Sequence, residues 1–251
     1  LNDEFNRLFK SLFKNADNYI SVIHALSTVG KGLTRADLIQ KAKLTNNGNL
    51  TTLLNELEQC EFIRSYVPFK REKKDKLYQL IDQFTLFHFH FLRGHGIFPK
   101  DYWTKMIGTA TYNAWSGYAF ETVCLHHIDQ IVESLGINGI LNKPCSWTYR
   151  PSKATLEDET VDENLKVGGQ IDLLIDRSDK TITVCEMKYS DGEYEIDKAY
   201  DKYVQERVKL FQTVEKTKKS VQVVFVTPHG LHNNTYARKI KKQITGDDLF
   251  E

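Results

Sequence analysis

The order of periodicities between residues 169 and 226 constrains this chain most. After Gly168-Gly169, the runs Ile171 to Asp176 and Thr181 to Lys188 are apolar and β-branched, and Arg177-Ser178-Asp179-Lys180 between them is a turn, so the segment reads as a hairpin. Next comes a helical stripe of Ile196, Tyr200, Val204, Val208 and Phe211, and then Val221 to Val226 returns as a strand. A strand, helix and strand in succession call for a right-handed crossover, which lays the last strand parallel to the one ending at Lys188. A helix-covered sheet with mixed strand directions follows from this region alone.

The first part of the chain has a different texture. Phe5, Leu8, Phe9, Leu12 and Phe13 fall at helical spacing, and Tyr19 to Leu26 reads as a second helix. Thr34 and Asp37 have the spacing of an N-cap and its N3 partner, and Asn46-Asn47-Gly48-Asn49 forms a turn and cap before a helix with Leu50, Leu53, Leu54 and Leu57 on one stripe. Phe62-Ile63, a charged run from Lys70 to Lys76, and Tyr78-Gln79-Leu80 then spell a two-stranded wing. Three short helices and a wing predict a winged helix-turn-helix domain. The aromatic stretch from Asp82 to Leu92 reads as a helical connector and Tyr112 to Leu135 as one largely buried helix. Ser146 to Arg150 reads as a strand and Glu157 to Glu163 as a solvated acidic loop. The expected fold is mixed α/β, with a winged-helix domain and connector over residues 1–97 and an α/β domain with a central mixed sheet over 98–251.

Charge narrows the partners. Lys plus Arg number 34 against 33 Asp plus Glu, a net charge of +1 over 251 residues, so no global field draws the molecule to nucleic acid or an anionic membrane. Any such binding is local. The sequence has neither a long uncharged apolar window nor a signal-peptide pattern, which predicts a cytoplasmic protein. Cys60, Cys124, Cys145 and Cys185 are far apart and form no CxxC pair, so buried thiols are expected. The Leu1 start, directly into an amphipathic segment, reads as a fragment of a longer chain.

Asp172, Glu186 and Lys188 carry the chemistry. Alternation along a strand puts Glu186 and Lys188 on one side, about 7 Å apart, and the short turn brings Asp172 alongside. Two close carboxylates suit a hard cation such as Mg²⁺ or Mn²⁺, and a neighbouring lysine suits a water or a phosphoryl oxygen. The same three charges also make an ordinary salt-bridge cluster on a sheet.

Gly169-Gln170-Ile171-Asp172, the hairpin, Cys185-Glu186-Met187-Lys188 and the crossover resemble the D…ExK pattern of the PD-(D/E)xK nuclease-like superfamily. The resemblance implies Mg²⁺-dependent phosphodiester hydrolysis with Asp172 and Glu186 as metal ligands and Lys188 as a positioner of water. It also implies a further carboxylate from the first core helix, Glu121, as ligand and catalytic aid, and a polar residue on the crossover helix, Gln205. Nearly the whole chain resembles the C-terminal region of archaeal-type AAA+ ATPases, in which an ATPase domain precedes these two domains. The similarity is carried by Leu77 to Asp82, Trp115 to His127 and Gly169 to Lys188. It implies an upstream ATPase domain in a parent chain, and no ATP hydrolysis by the present chain, because no GxxxxGK[ST] loop exists in it. The alternative is a non-catalytic DNA- or protein-binding regulatory module with a degenerate nuclease fold.

For DNA, the third helix offers Thr51, Thr52, Asn55, Glu56 and Glu58 outward and no cation. Arg35, Lys41 and Lys43 and the wing residues Lys70, Arg71, Lys73, Lys74 and Lys76 supply positive charge suited to phosphates. His88, His90, His126 and His127 lack the i, i+4 spacing of helical zinc ligands and are read as packing or surface residues.

Overall fold

The computed structural model describes residues 2–93 and 99–250, and the chain divides into two compact units, Leu1–Trp115 and Ser116–Glu251. The boundary expected after residue 97 lies outside the described residues. Helices and two sheets, one of them mixed, give a mixed α and β architecture.

In the first unit, α1 (Asn2–Leu12) buries Phe5 and Phe9, and Phe9 packs on Phe62 at 4.9 Å between ring centroids. Then follow α2 (Ala16–Ser27), β1 (Leu33–Thr34), α3 (Arg35–Ala42), α4 (Gly48–Gln59), β2 (Ile63–Tyr66) and β3 (Leu77–Leu80). The capping box of Thr34 and Asp37 forms, each side chain bonding the other's backbone N–H. Asn47 Oδ1 accepts from Leu50 N at the start of α4, whose Leu50, Leu53, Leu54 and Leu57 are all buried. The three strands run in the order β1-β3-β2, all antiparallel. Strand β1 was not read from the sequence, because two residues leading straight into a helix carry no periodicity. Gly32 makes it possible: its φ is +83°, and a Cβ there would lie 2.3 Å from the Tyr78 carbonyl oxygen.

Asp82 caps α5 (Gln83–Phe87), which passes into a π turn over His88–Leu92, and α6 (Tyr102–Met106) follows. Here the histidines do pack: His88 stacks on Phe5 at 4.2 Å, and His90 on Trp115 at 5.3 Å. The helix expected over 112–135 is two, α7 (Ala110–His126) and α8 (Ile128–Ser134), interrupted at His127, whose Nδ1 is 2.8 Å from the Val123 carbonyl oxygen.

The second unit is built on a five-stranded sheet, β4 (Asn142–Tyr149), β5 (Gly169–Arg177), β6 (Thr181–Met187), β7 (Ser220–Val226) and β8 (Lys242–Ile244), in that spatial order. The run from Glu157 to Glu163, expected as one acidic loop, is partly helical: Glu157 ends α9 (Lys153–Glu157) and Glu163 opens α10 (Glu163–Lys166), leaving Asp158, Glu159 and Thr160 exposed between them. The first three strands are antiparallel; β6, β7 and β8 are parallel, and α11 (Lys198–Glu215) makes the crossover. The parallel pairing of residues 181–187 with 220–226 is the one the hairpin, helix and strand pattern demands. Cys124, Leu125 and Ile131 pack on Leu173, Ile175, Cys185, Met187 and Val224, together with Leu249 of α12 (Gly246–Phe250). On α11, Val204 joins Ile196, Phe225 and Leu231 in a second cluster. Cys124, Cys145 and Cys185 are buried, but Cys60 is exposed where a buried thiol was expected; it caps the end of α4, outside that helix's leucine stripe.

Candidate functional site

Strand β5 stays paired with β4 down to Gly169, whereas its pairing with β6 begins only at Leu173↔Cys185. Beyond that pair the two strands part, and Asp172 and Glu186 flank the parting. Leu174 and Val184 are cross-strand partners, so strand alternation puts Asp172 and Glu186, two residues on, on one face of the sheet. Gly169 holds this end of β5 close to α11: a Cβ there would come within 2.7 Å of Leu210 and 3.1 Å of Trp147.

Glu186 is buried and fully engaged. Its Oε1 accepts from the Tyr200 hydroxyl and lies 3.3 Å from Lys188 Nζ, while Oε2 receives the Arg207 guanidinium. Tyr200 and Arg207 lie seven residues apart on α11, two turns along one face, which is why both reach the same carboxylate. Arg207 also lies over the Tyr203 ring at 4.9 Å, and Lys188 over the Tyr200 ring at 5.4 Å. Burial and the Glu186 charge hold the Tyr200 hydroxyl firmly protonated. Asp172 Oδ1 accepts from the Gln170 amide.

Glu121 of α7 belongs to the same electrostatic group. Its carboxyl is pushed up to about 7, first by burial and then by the charges of Asp172 and Glu186, with Lys188 opposing. The charges of Asp172, Glu186 and Lys188 therefore all reach Glu121, and Lys188 also lies 3.3 Å from Glu186. Gln205 does not join them: it is exposed and donates to Asp201 at 2.8 Å. The residues of α11 that reach Glu186 are Tyr200 and Arg207. Tyr200 was visible as part of the apolar stripe, and Arg207 as a cation beside Val208 on that stripe, but nothing local to either announces a bond to Glu186. Among the described residues, no group of three or more His, Cys, Asp or Glu side chains is arranged to hold a metal ion.

In the first unit, Arg35 braces the turn before α4, with Nε 3.1 Å from Asn46 Oδ1 and Nη2 3.1 Å from the Asn47 carbonyl oxygen. The cations between β2 and β3 divide. Lys74 pairs with Glu72 at 3.0 Å, Lys76 is 3.8 Å from Glu58, and Lys70 lies over the Phe69 ring at 5.4 Å with φ at +52°. Lys73 and Arg71 are exposed. Glu56 and Glu58, expected to point outward, turn inward: Glu56 accepts from the Tyr19 hydroxyl and Glu58 from Ser65.

No family model, curated protein or solved structure matches this chain. Among the described residues, no helix is long and apolar enough to cross a membrane.

Proposed function

We propose that the chain is a winged helix-turn-helix joined to a PD-(D/E)xK nuclease-like domain, that it forms the C-terminal part of an AAA+ ATPase acting on DNA in the cytoplasm, and that the second unit hydrolyses phosphodiesters with Mg²⁺. The observation that carries this reading is the placement of Asp172 and Glu186 on either side of the point where β5 and β6 part, with Lys188 3.3 Å from Glu186.

The donor chemistry suits a hard divalent cation, since Asp172 and Glu186 share one face of the sheet where β5 and β6 part and both offer carboxylate oxygens. One rearrangement is needed, because both oxygens of Glu186 are bound by protein donors. Bound there, the cation would neutralise charge on a phosphate. Asp172 and Glu186 would hold it, with Glu121 assisting. The Lys188 ammonium sits beside Glu186 and is placed to orient a water or stabilise a phosphoryl oxygen. Burial and the neighbouring carboxylates raise the Glu121 carboxyl, and a cation bound beside it would favour its charged, oxygen-donating form.

A second reading has its own observation. The Arg207 and Tyr200 bonds to Glu186 are those of a finished structural network, which favours a non-catalytic DNA- or protein-binding regulatory module on a degenerate nuclease fold. Incubating supercoiled plasmid with the chain in Mg²⁺ separates the two. Nicking that disappears in Asp172→Ala supports hydrolysis; an intact plasmid under conditions where the chain binds it leaves the regulatory reading.

A further inference from the structure

The segment from Leu231 to Gln243 lines an open groove of about 440 Å³ at the β8 edge of the sheet. Its apolar side is Leu231, Ala237 and Ile240, and its charged side is Arg238, Lys241 and Lys242, with no carboxylate in the lining. Among the described residues, the Arg238 guanidinium bonds only neutral oxygens, Asn233 Oδ1 at 3.2 Å and Thr235 Oγ1 at 3.3 Å. Lys241 is exposed and has no carboxylate partner among the described residues. Lys242 donates to the Ser134 carbonyl, with Asp248 nearby, and the adjacent Lys239 is matched by Asp201 at 2.7 Å. Arg238 and Lys241 therefore leave two positive charges uncompensated beside an apolar strip.

The groove shares its support with the candidate site. Leu231, Ala237 and Ile240 belong to one packed cluster with Tyr194, Tyr200 and Phe225, and Tyr200 is the residue that bonds Glu186. A backbone bridge between Tyr194 and Leu231 ties the two loops together.

We propose that this groove binds the phosphate backbone of a nucleic-acid strand, with Arg238 and Lys241 on phosphates and the partly exposed Ala237 and Ile240, backed by the buried Leu231, against sugars. A compact anion would leave the apolar strip unused, whereas a sugar-phosphate chain alternates the two kinds of contact the groove offers. The proposal rests on the reading of DNA as the partner, and it puts a second contact surface in the unit that carries Asp172 and Glu186, independent of the wing.

The test is fluorescence anisotropy of labelled duplex and single-stranded DNA with the full chain, Arg238→Ala/Lys241→Ala, and Lys73→Ala/Lys74→Ala/Lys76→Ala, across a salt series. The groove variant should bind on the order of tenfold more weakly and lower the slope of log affinity against log salt by about 1.4 to 1.8, as expected for two lost phosphate contacts. Both side chains are exposed, so its melting temperature should match that of the unsubstituted chain. Unchanged affinity and slope in the groove variant, with the wing variant impaired, would overturn the groove and leave DNA binding intact. No DNA binding by the unsubstituted chain at any salt would remove both. Binding of polyglutamate but not DNA through Arg238 and Lys241 would reassign the groove to an acidic polypeptide and also overturn the proposal.

Discussion

Arg207 closes an ion pair on Glu186 with the two side chains only 10% and 8% exposed, so the acidic residue of the ExK pattern is bound from a helix that lies beyond the pattern. A buried pair of this kind costs most when one partner is removed, and without Arg207 the buried Glu186 keeps only the partly exposed Lys188 and the Tyr200 hydroxyl. Arg207→Met should therefore destabilise the second unit by about 3 kcal/mol, while Arg207→Met/Glu186→Gln should recover much of the loss. Urea denaturation of the single and double variants measures both, and equal stabilities of Arg207→Met and the unsubstituted chain would contradict the assignment.

Glu121 sets a pH dependence with a definite sign. Its folded-state value of about 7 lies above the ordinary carboxylate range, so the folded protein holds a proton that the unfolded chain has released. That carboxyl therefore lowers stability progressively as pH rises from about 4.5 to about 7, and the penalty stays constant above that. Glu121→Gln removes the effect: the variant should gain relative stability at pH 8 and show little difference at pH 4. Parallel denaturation curves at the two pH values check this, and a gain that is the same at both would contradict it.

Gly169 should tolerate no side chain without a local shift. Gly169→Ala places a methyl 2.7 Å from Leu210 and 3.1 Å from the Trp147 ring, three residues before Asp172. Overpacking of this kind costs about 1 to 3 kcal/mol. Thermal melts should show the loss, and they should show it in Gly169→Ala but not in Gly192→Ala, where a Cβ meets nothing within 4 Å.

On the proposed DNA-binding reading, the cations between β2 and β3 should matter to DNA and hardly at all to folding. Lys73→Ala/Lys74→Ala/Lys76→Ala removes up to three phosphate contacts, which would flatten the salt slope by about 2.7 at most. The pairs of Lys74 with Glu72 and Lys76 with Glu58 involve partly or largely exposed side chains, so their loss should change stability by under about 1 kcal/mol. Anisotropy across a salt series and a urea curve report the two effects separately.

Elements with their own period were legible in the sequence. The hairpin over 169–187, the crossover helix, the returning strand and the Thr34–Asp37 capping box all stand where spacing and caps put them. Short edge elements were not: β1 has two residues and β8 three, too few to show alternation, and both exist because a neighbouring strand offers its edge. The site divides on the same physical line. Asp172, Glu186 and Lys188 are joined by one hairpin, so local register predicts their convergence. Arg207 and Tyr200 meet Glu186 only through the packing of α11 on the sheet, which depends on residues far apart in the chain. Gln205 was chosen by its polarity on that helix, but the face turned to Glu186 is the one bearing Tyr200 and Arg207.

The central claim is that Asp172 and Glu186 form a divalent-cation site. Isothermal titration of Mn²⁺ into the full chain, Asp172→Ala, Glu186→Ala and Lys188→Ala tests it most directly. The account predicts saturable binding to the unsubstituted chain, a sharp loss in both carboxylate variants, and retained or tighter binding in Lys188→Ala, which removes a competing positive charge and no oxygen ligand. No saturable Mn²⁺ binding, or binding indifferent to Asp172 and Glu186, would contradict the site and leave these residues as a structural charge network around Arg207.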